Sequence, residues 1–215
     1  MPKQSHQERP TPPSAGPVTC VQSSVVKRLQ AAQARIHPRM LAMARHYTDF
    51  VTLAKKLPTH LPWDYNVKGF GTLHTNKARD FSIEIDNREK PGTISVYYHR
   101  LGPADLSALP TSSEAYSELM DSLTGYGLKI SGSAAGKLSK IGVKPLVPVE
   151  FRLLADIPGA VIRVSLRNVE ELGVVHYSFN PEVLDVKFMA AVDALLLHQP
   201  GDFYRLAGNA GVNGP

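Results

Sequence analysis

The chain has 215 residues, 43% hydrophobic and 20% charged, a balance that excludes a disordered or collagen-like polymer. No stretch approaches the ~18 consecutive apolar residues of a membrane helix, and Cys20 as the only cysteine excludes an intrachain disulfide. The net charge of +5 is uneven: residues 1–60 carry nine Lys or Arg against Glu8 and Asp49, while the remainder is slightly acidic. The first residues, Met1-Pro2-Lys3-Gln4-Ser5-His6, have no apolar run of the signal-peptide kind. Together these features set the expectation of a cytoplasmic protein.

Residues 1–21 are rich in Pro, Ser and Gln and read as a disordered tail, as do residues 207–215. Residues 22–57 read as helix. Ile36, Met40, Met43, Tyr47, Phe50, Ala54 and Leu57 recur at alternating spacings of four and three, a heptad seam that Leu29 extends upstream. Pro38 interrupts it, so the expectation is either two helices or one kinked helix. Such a seam packs on the protein's own sheet or on a helix of another chain. Lys27, Arg28, Arg35, Arg39, Arg45, Lys55 and Lys56 decorate the same helix.

The middle of the chain reads as strands, and it matches itself at an offset of 81 without gaps. Phe70 and Leu73 fall on Phe151 and Leu154. Phe81, Ile83 and Ile85 fall on Ile162, Val164 and Leu166, and Ile94, Val96 and Tyr98 fall on Val175, Tyr177 and Phe179. The matched apolar positions alternate with period two, as in strands buried on one face. Asn-x-Glu-x-x-Gly stands between the last two runs of each copy, at Asn87–Gly92 and Asn168–Gly173, and reads as a turn using left-handed Asn and positive-φ Gly.

A helix follows each block. Thr111-Ser112-Ser113-Glu114 is a capping signal ahead of Ala115, Leu119, Met120 and Leu123. Asn180-Pro181-Glu182 reads as the start of a second, with Leu184, Phe188, Ala191, Val192, Leu195 and Leu196 as its apolar face. The expected architecture is α+β, a pseudo-duplicated α-βββ-α-βββ-α with antiparallel strands and helices packed on one face. Residues 22–206 form a single domain of two pseudo-repeats, about 22–128 and 129–206. The segment between the blocks has no acid from Ser122 to Val149. It carries Lys129, Lys137, Lys140 and Lys144 among Gly132, Gly136 and Gly142, and reads as a cationic loop.

Motifs of chemistry are sparse. Ser131-Gly132-Ser133-Ala134-Ala135-Gly136-Lys137-Leu138 misses a phosphate-binding loop at both ends, and leucine cannot ligate magnesium. None of the eight histidines (His6, His37, His46, His60, His74, His99, His176, His198) stands at a zinc spacing. Glu84 and Asp86 share the outward strand face, and Cys20 lies where nothing lowers a thiol pKa. In Tyr97-Tyr98-His99-Arg100, alternation places Tyr98 in the core and leaves Tyr97 and His99 outside.

The sequence therefore points to a non-catalytic interaction module, an adaptor or subunit of a cytoplasmic assembly. Its expected partner is a protein or a second copy, contacted through the basic helix and the Gly/Lys loop and through either the seam or an open sheet edge, with no cofactor, metal or membrane involved. The alternative is a nucleic-acid-associated protein placing the same cations on phosphates. A second alternative is an enzyme with dispersed catalytic residues.

Overall fold

The structure, a computed structural model, describes residues 18–56, 60–108, 112–131, 141–208 and 212–213, and side chains from residue 24 onward except 131, 212 and 213. The sequence-based expectations for residues 1–17, for Leu57 and for Lys137 and Lys140 lie outside the described residues.

Helix α1 runs Val18–Ala54 without a break at Pro38, and so starts inside the segment read as a tail. Cys20 lies on this helix. An internal proline removes one backbone bond and costs about 3 kcal/mol. Continuous burial on both sides outweighs that cost: Ala32 and Ile36 before it, and Met40, Met43, Tyr47, Val51 and Ala54 after it, are all buried.

Strands β1 (His60–Val67), β2 (Gly71–Ile85) and β3 (Thr93–Leu101) form a meander. A short β4 (Leu106–Ala108), helix α2 (Ser113–Gly125), β5 (Ile130–Ser131) and β6 (Ile141–Val143) follow. The second meander is β7 (Leu146–Asp156), β8 (Val161–Arg167) and β9 (Val174–Phe179). A 3-10 turn at Pro181–Val183, α3 (Val186–Leu196), α4 (Phe203–Gly208) and β10 (Val212–Asn213) complete the chain. Because β3 pairs antiparallel with β7, both meanders belong to one seven-stranded sheet, ordered β1-β2-β3-β7-β8-β9-β10. β4, β6 and β5 form a separate small sheet. The fold is α+β and antiparallel, as the pattern implied. The α4 and β10 segments replace part of the expected C-terminal tail.

The internal match holds for one hairpin and fails upstream of it. Ile83 pairs with Val96 and Ile85 with Ile94, while Val164 pairs with Tyr177 and Leu166 with Val175, the same register at the same offset. Upstream, β2 is one strand of 15 residues, whereas its image covers the end of β7, a turn and β8. The three-strand repeat is therefore not reproduced. The turns also differ in mechanism. Asn168 (φ 52) and Gly173 (φ 129) are left-handed as expected, and the Gly173 N–H donates to the Asn168 side chain at 2.8 Å. In the first copy Asp86 takes that role, accepting from Gly92 N–H at 2.9 Å, and neither Asn87 nor Gly92 has positive φ.

Two apolar clusters fill the molecule. The larger joins α1, α3 and α4 to the inward residues of β3, β7, β8 and β9. The smaller joins Tyr65, Val67 and Leu73 to Leu123 of α2, to Ile141 and Val143 of β6, and to Val147 at the start of β7. Ser112 caps α2 as predicted, accepting from Ala115 N–H at 3.1 Å. The cap of α3 is Asp185 rather than Asn180. Its carboxylate accepts from Phe188 and Lys187 N–H groups, which hold it below the usual carboxylate range.

Met43 is fully buried whereas Leu53, on the same helix, is 60% exposed. Met43→Ala should lower the free energy of unfolding in urea by about 2–5 kcal/mol, and Leu53→Ala should change it by less than about 0.5 kcal/mol.

Candidate functional site

The seam of α1 divides into two parts. Ile36, Met40, Met43 and Tyr47 are at most 1% exposed, and Phe50 packs against the same cluster. These residues pack in the cluster that covers the chain's own sheet, one of the two arrangements the seam allowed. Upstream the pattern continues through Val25, Leu29 and Ala32, and every described side chain from Ser24 to Ala31 is exposed. Val25 is 48%, Val26 51% and Leu29 37% exposed. Val25, Leu29 and Ala32 line a groove of about 250 Å³ against Ile157, Pro158 and Ala160 of the β7–β8 turn. The helix thus presents a shallow apolar face beyond the part its own sheet covers.

The cations of α1 also divide. Arg35 forms a two-pronged contact with Glu182, Nε to Oε1 at 2.6 Å and Nη2 to Oε2 at 2.7 Å, and Nη2 also donates to Asn180 at 2.9 Å. That contact holds Glu182 below its ordinary range, and Arg39 adds to the same field, which also reaches Asp185. Arg35 and Arg39 therefore face the acids of the turn before α3. Lys27, Arg28, Arg45, Lys55 and Lys56 are exposed, and none makes an ion pair among the described residues. Lys129 and Lys144 lie elsewhere, beside the small sheet, where Lys144 N–H donates to the Lys129 carbonyl at 2.9 Å.

A third constellation had no place among the sequence-predicted sites. Arg100 on β3 is fully buried, with no carboxylate against it among the described residues. Its guanidinium carbon lies 6.0 Å from the Trp63 ring, 5.9 Å from Tyr65 and 5.7 Å from Tyr98. Nη2 donates to the Tyr98 hydroxyl at 3.2 Å, and that hydroxyl donates to the Leu196 carbonyl at 3.1 Å. Burial raises the Tyr98 and Tyr65 hydroxyl pKa values, and both stay neutral. Trp63 donates to the Glu170 carbonyl and Tyr65 to the Asn168 carbonyl, each at 2.7 Å. β1 therefore curls onto the β8–β9 loop. The available signal was alternation: Ile94, Val96, Tyr98 and Arg100 share one face. Arginine's usual exposure argues against reading the fourth as core.

His198 packs against Trp63 with ring centroids 3.9 Å apart and planes tilted by 35°, in a left-handed backbone conformation (φ 50). Burial, with the Arg100 charge, pushes its pKa down from 6.5 to about 3. Other polar groups carry less. His46 meets Asp193 at 2.9 Å, and burial raises the Asp193 carboxyl. Ser165 and His176 are hydrogen-bonded at 2.8 Å on the outer sheet face, with no carboxylate on His176 among the described residues, so no nucleophilic triad is built. Glu84 and Asp86 are exposed. Among the described residues no cluster of His, Cys, Asp or Glu could hold a metal, and no helix is long and apolar enough to cross a membrane. No family model matches the chain, and no curated protein or solved structure is significantly similar to it.

His198 sets a pH dependence. The folded state keeps the ring neutral down to about pH 3, whereas the unfolded chain takes up a proton near 6.5. Acidification below 6.5 therefore favours unfolding through this group. The urea midpoint should fall between pH 7.5 and 5, and His198→Asn, which tolerates the left-handed backbone, should flatten that fall. An unchanged slope would remove His198 as its source.

Proposed function

We propose that the protein is a non-catalytic interaction module, an adaptor or subunit of a cytoplasmic assembly, that docks an acidic amphipathic helix on the N-terminal part of α1. The observation that carries this reading is the continuation of the seam past its own sheet. Val25, Val26 and Leu29 stand exposed beside Lys27 and Arg28, in a stretch with no acidic residue between Arg9 and Thr48. An amphipathic helix lays its apolar face into such a groove, and acidic flanks complement the cations. A phosphate backbone needs cations and gains nothing from three exposed aliphatic side chains. Arg35 and Arg39 already face Glu182, which leaves a smaller cationic field than the sequence implied. Lys129 and Lys144 flank the smaller cluster, whereas α1 belongs to the larger one.

Burying three aliphatic side chains at about 1.5–3 kcal/mol each, against an association cost of at least about 4 kcal/mol, leaves at most about 5 kcal/mol, binding of about submillimolar strength. A synthetic helical peptide with leucine on one face and glutamate flanking it should bind the intact protein at that level. The joint Val25→Asp, Leu29→Asp variant should abolish the complex, and Lys27→Gln with Arg28→Gln should weaken it and reduce its salt dependence. Absence of peptide binding would contradict the reading. So would retention on duplex DNA at physiological salt that Val25→Asp, Leu29→Asp leaves intact, which would favour the nucleic-acid alternative.

A further inference from the structure

The free side of β9 is the second surface that stands out. Among the described residues two of β10 pair with it, Val212 with Tyr177 and Asn213 with His176. The first residues of the strand, Val174 and Val175, are 42% and 44% exposed. A groove of about 300 Å³ runs beside them, with Leu166, Val169, Leu172 and Tyr204 as apolar lining and Glu170 and Glu171 adding negative charge. Tyr204 donates its hydroxyl to Glu170. Glu171 is exposed and makes no ion pair among the described residues.

An edge strand presents unpaired backbone N–H and C=O groups and templates another strand unless it is covered. The cover shown among the described residues is short, two residues of β10 against six of β9, and so small a ladder sets few hydrogen bonds against the entropy of ordering it.

We propose that β9 accepts an extended segment of a partner protein by strand addition, displacing residues 212–213. The segment fitted to this edge alternates apolar side chains over the Val174–Val175 end and carries a lysine or arginine that reaches Glu171. This surface is separate from the α1 groove, so one chain could bridge two partners.

The test uses a fluorescein-labelled synthetic peptide of alternating valine and threonine ending in lysine, titrated into the intact protein by anisotropy. Val212→Pro puts a residue without a backbone N–H into the cover, which disfavours strand pairing there, and should tighten binding by about fivefold, the fraction of edges that the cover otherwise occupies being released. Val175→Lys should weaken binding by about tenfold through repulsion and lost apolar contact. Glu171→Gln, an exposed change, should weaken it less and reduce its salt dependence. Hydrogen exchange of the β9 amides should slow when peptide is bound. Equal affinity for the wild type and Val212→Pro, no binding to Val212→Pro, or binding without added protection of β9 would each overturn the proposal.

Discussion

Among the described residues one buried cation stands where the two halves of this fold meet. Arg100 pairs across the sheet with Ala78 on one side and Val147 on the other, residues of the larger and the smaller apolar cluster respectively. Burying a guanidinium costs several kcal/mol unless something replaces its water. Three aromatic faces at 5.7–6.0 Å do so here, each contributing on the order of 0.5–2 kcal/mol. The three rings come from two strands, Tyr98 from the centre of the sheet and Trp63 and Tyr65 from its first strand. Holding all three around one charge requires the sheet to curl, and the curl lets Trp63 and Tyr65 donate to the β8–β9 loop. Asn168 of that loop donates in turn to the Tyr126 and Pro148 carbonyls, which ties in the end of α2 and the start of β7.

This arrangement separates a packed centre from an exposed periphery. Both proposed contact surfaces lie where elements run past the packed region: α1 upstream of Ala32, and the outer edge of β9. The same elements are anchored inside it by Ile36, Met40 and Met43 on α1 and by Tyr177 and Phe179 on β9. The positions of both surfaces are thus set by buried side chains. Arg35 fits the same division, its charge fixing α1 to the turn before α3.

Much of the fold was legible because it rests on local periodicity. The four-three spacing of Ile36, Met40, Met43 and Tyr47 located α1, and the alternation of Phe81–Ile85 and Ile94–Tyr98 located a hairpin with its register. Ser112 announced a helix start. The rest depends on pairs far apart in the chain. Nothing near Arg35 indicates Glu182, nothing near Trp63 indicates Glu170, and the pairing of β3 with β7 spans the whole of α2 and the small sheet. The upstream half of the internal match misled because a bulge near Asp80 (φ 61) keeps β2 continuous where its image turns back at Ala160 (φ 53). Asn180-Pro181 misled in a different way. Its asparagine bonds Arg35, while Asp185 supplies the cap. Of the proposed contact surfaces, the α1 cations were visible. The exposed length of its seam was not, because periodicity does not say where the covering sheet ends.

The cage around Arg100 is tested most directly by a double-mutant cycle of Arg100→Met and Tyr65→Leu, with unfolding followed through the fluorescence of Trp63, the protein's one tryptophan. Differencing the two substitutions removes the hydrogen bond from Tyr65 to Asn168 and the cost of burying the charge, and isolates their mutual term. A coupling of about 1–2 kcal/mol, with the double variant more stable than the sum of the single losses predicts, is the result expected if ring and guanidinium hold each other. Additive losses with no coupling would contradict the account and leave Arg100 as a cation merely tolerated in the core.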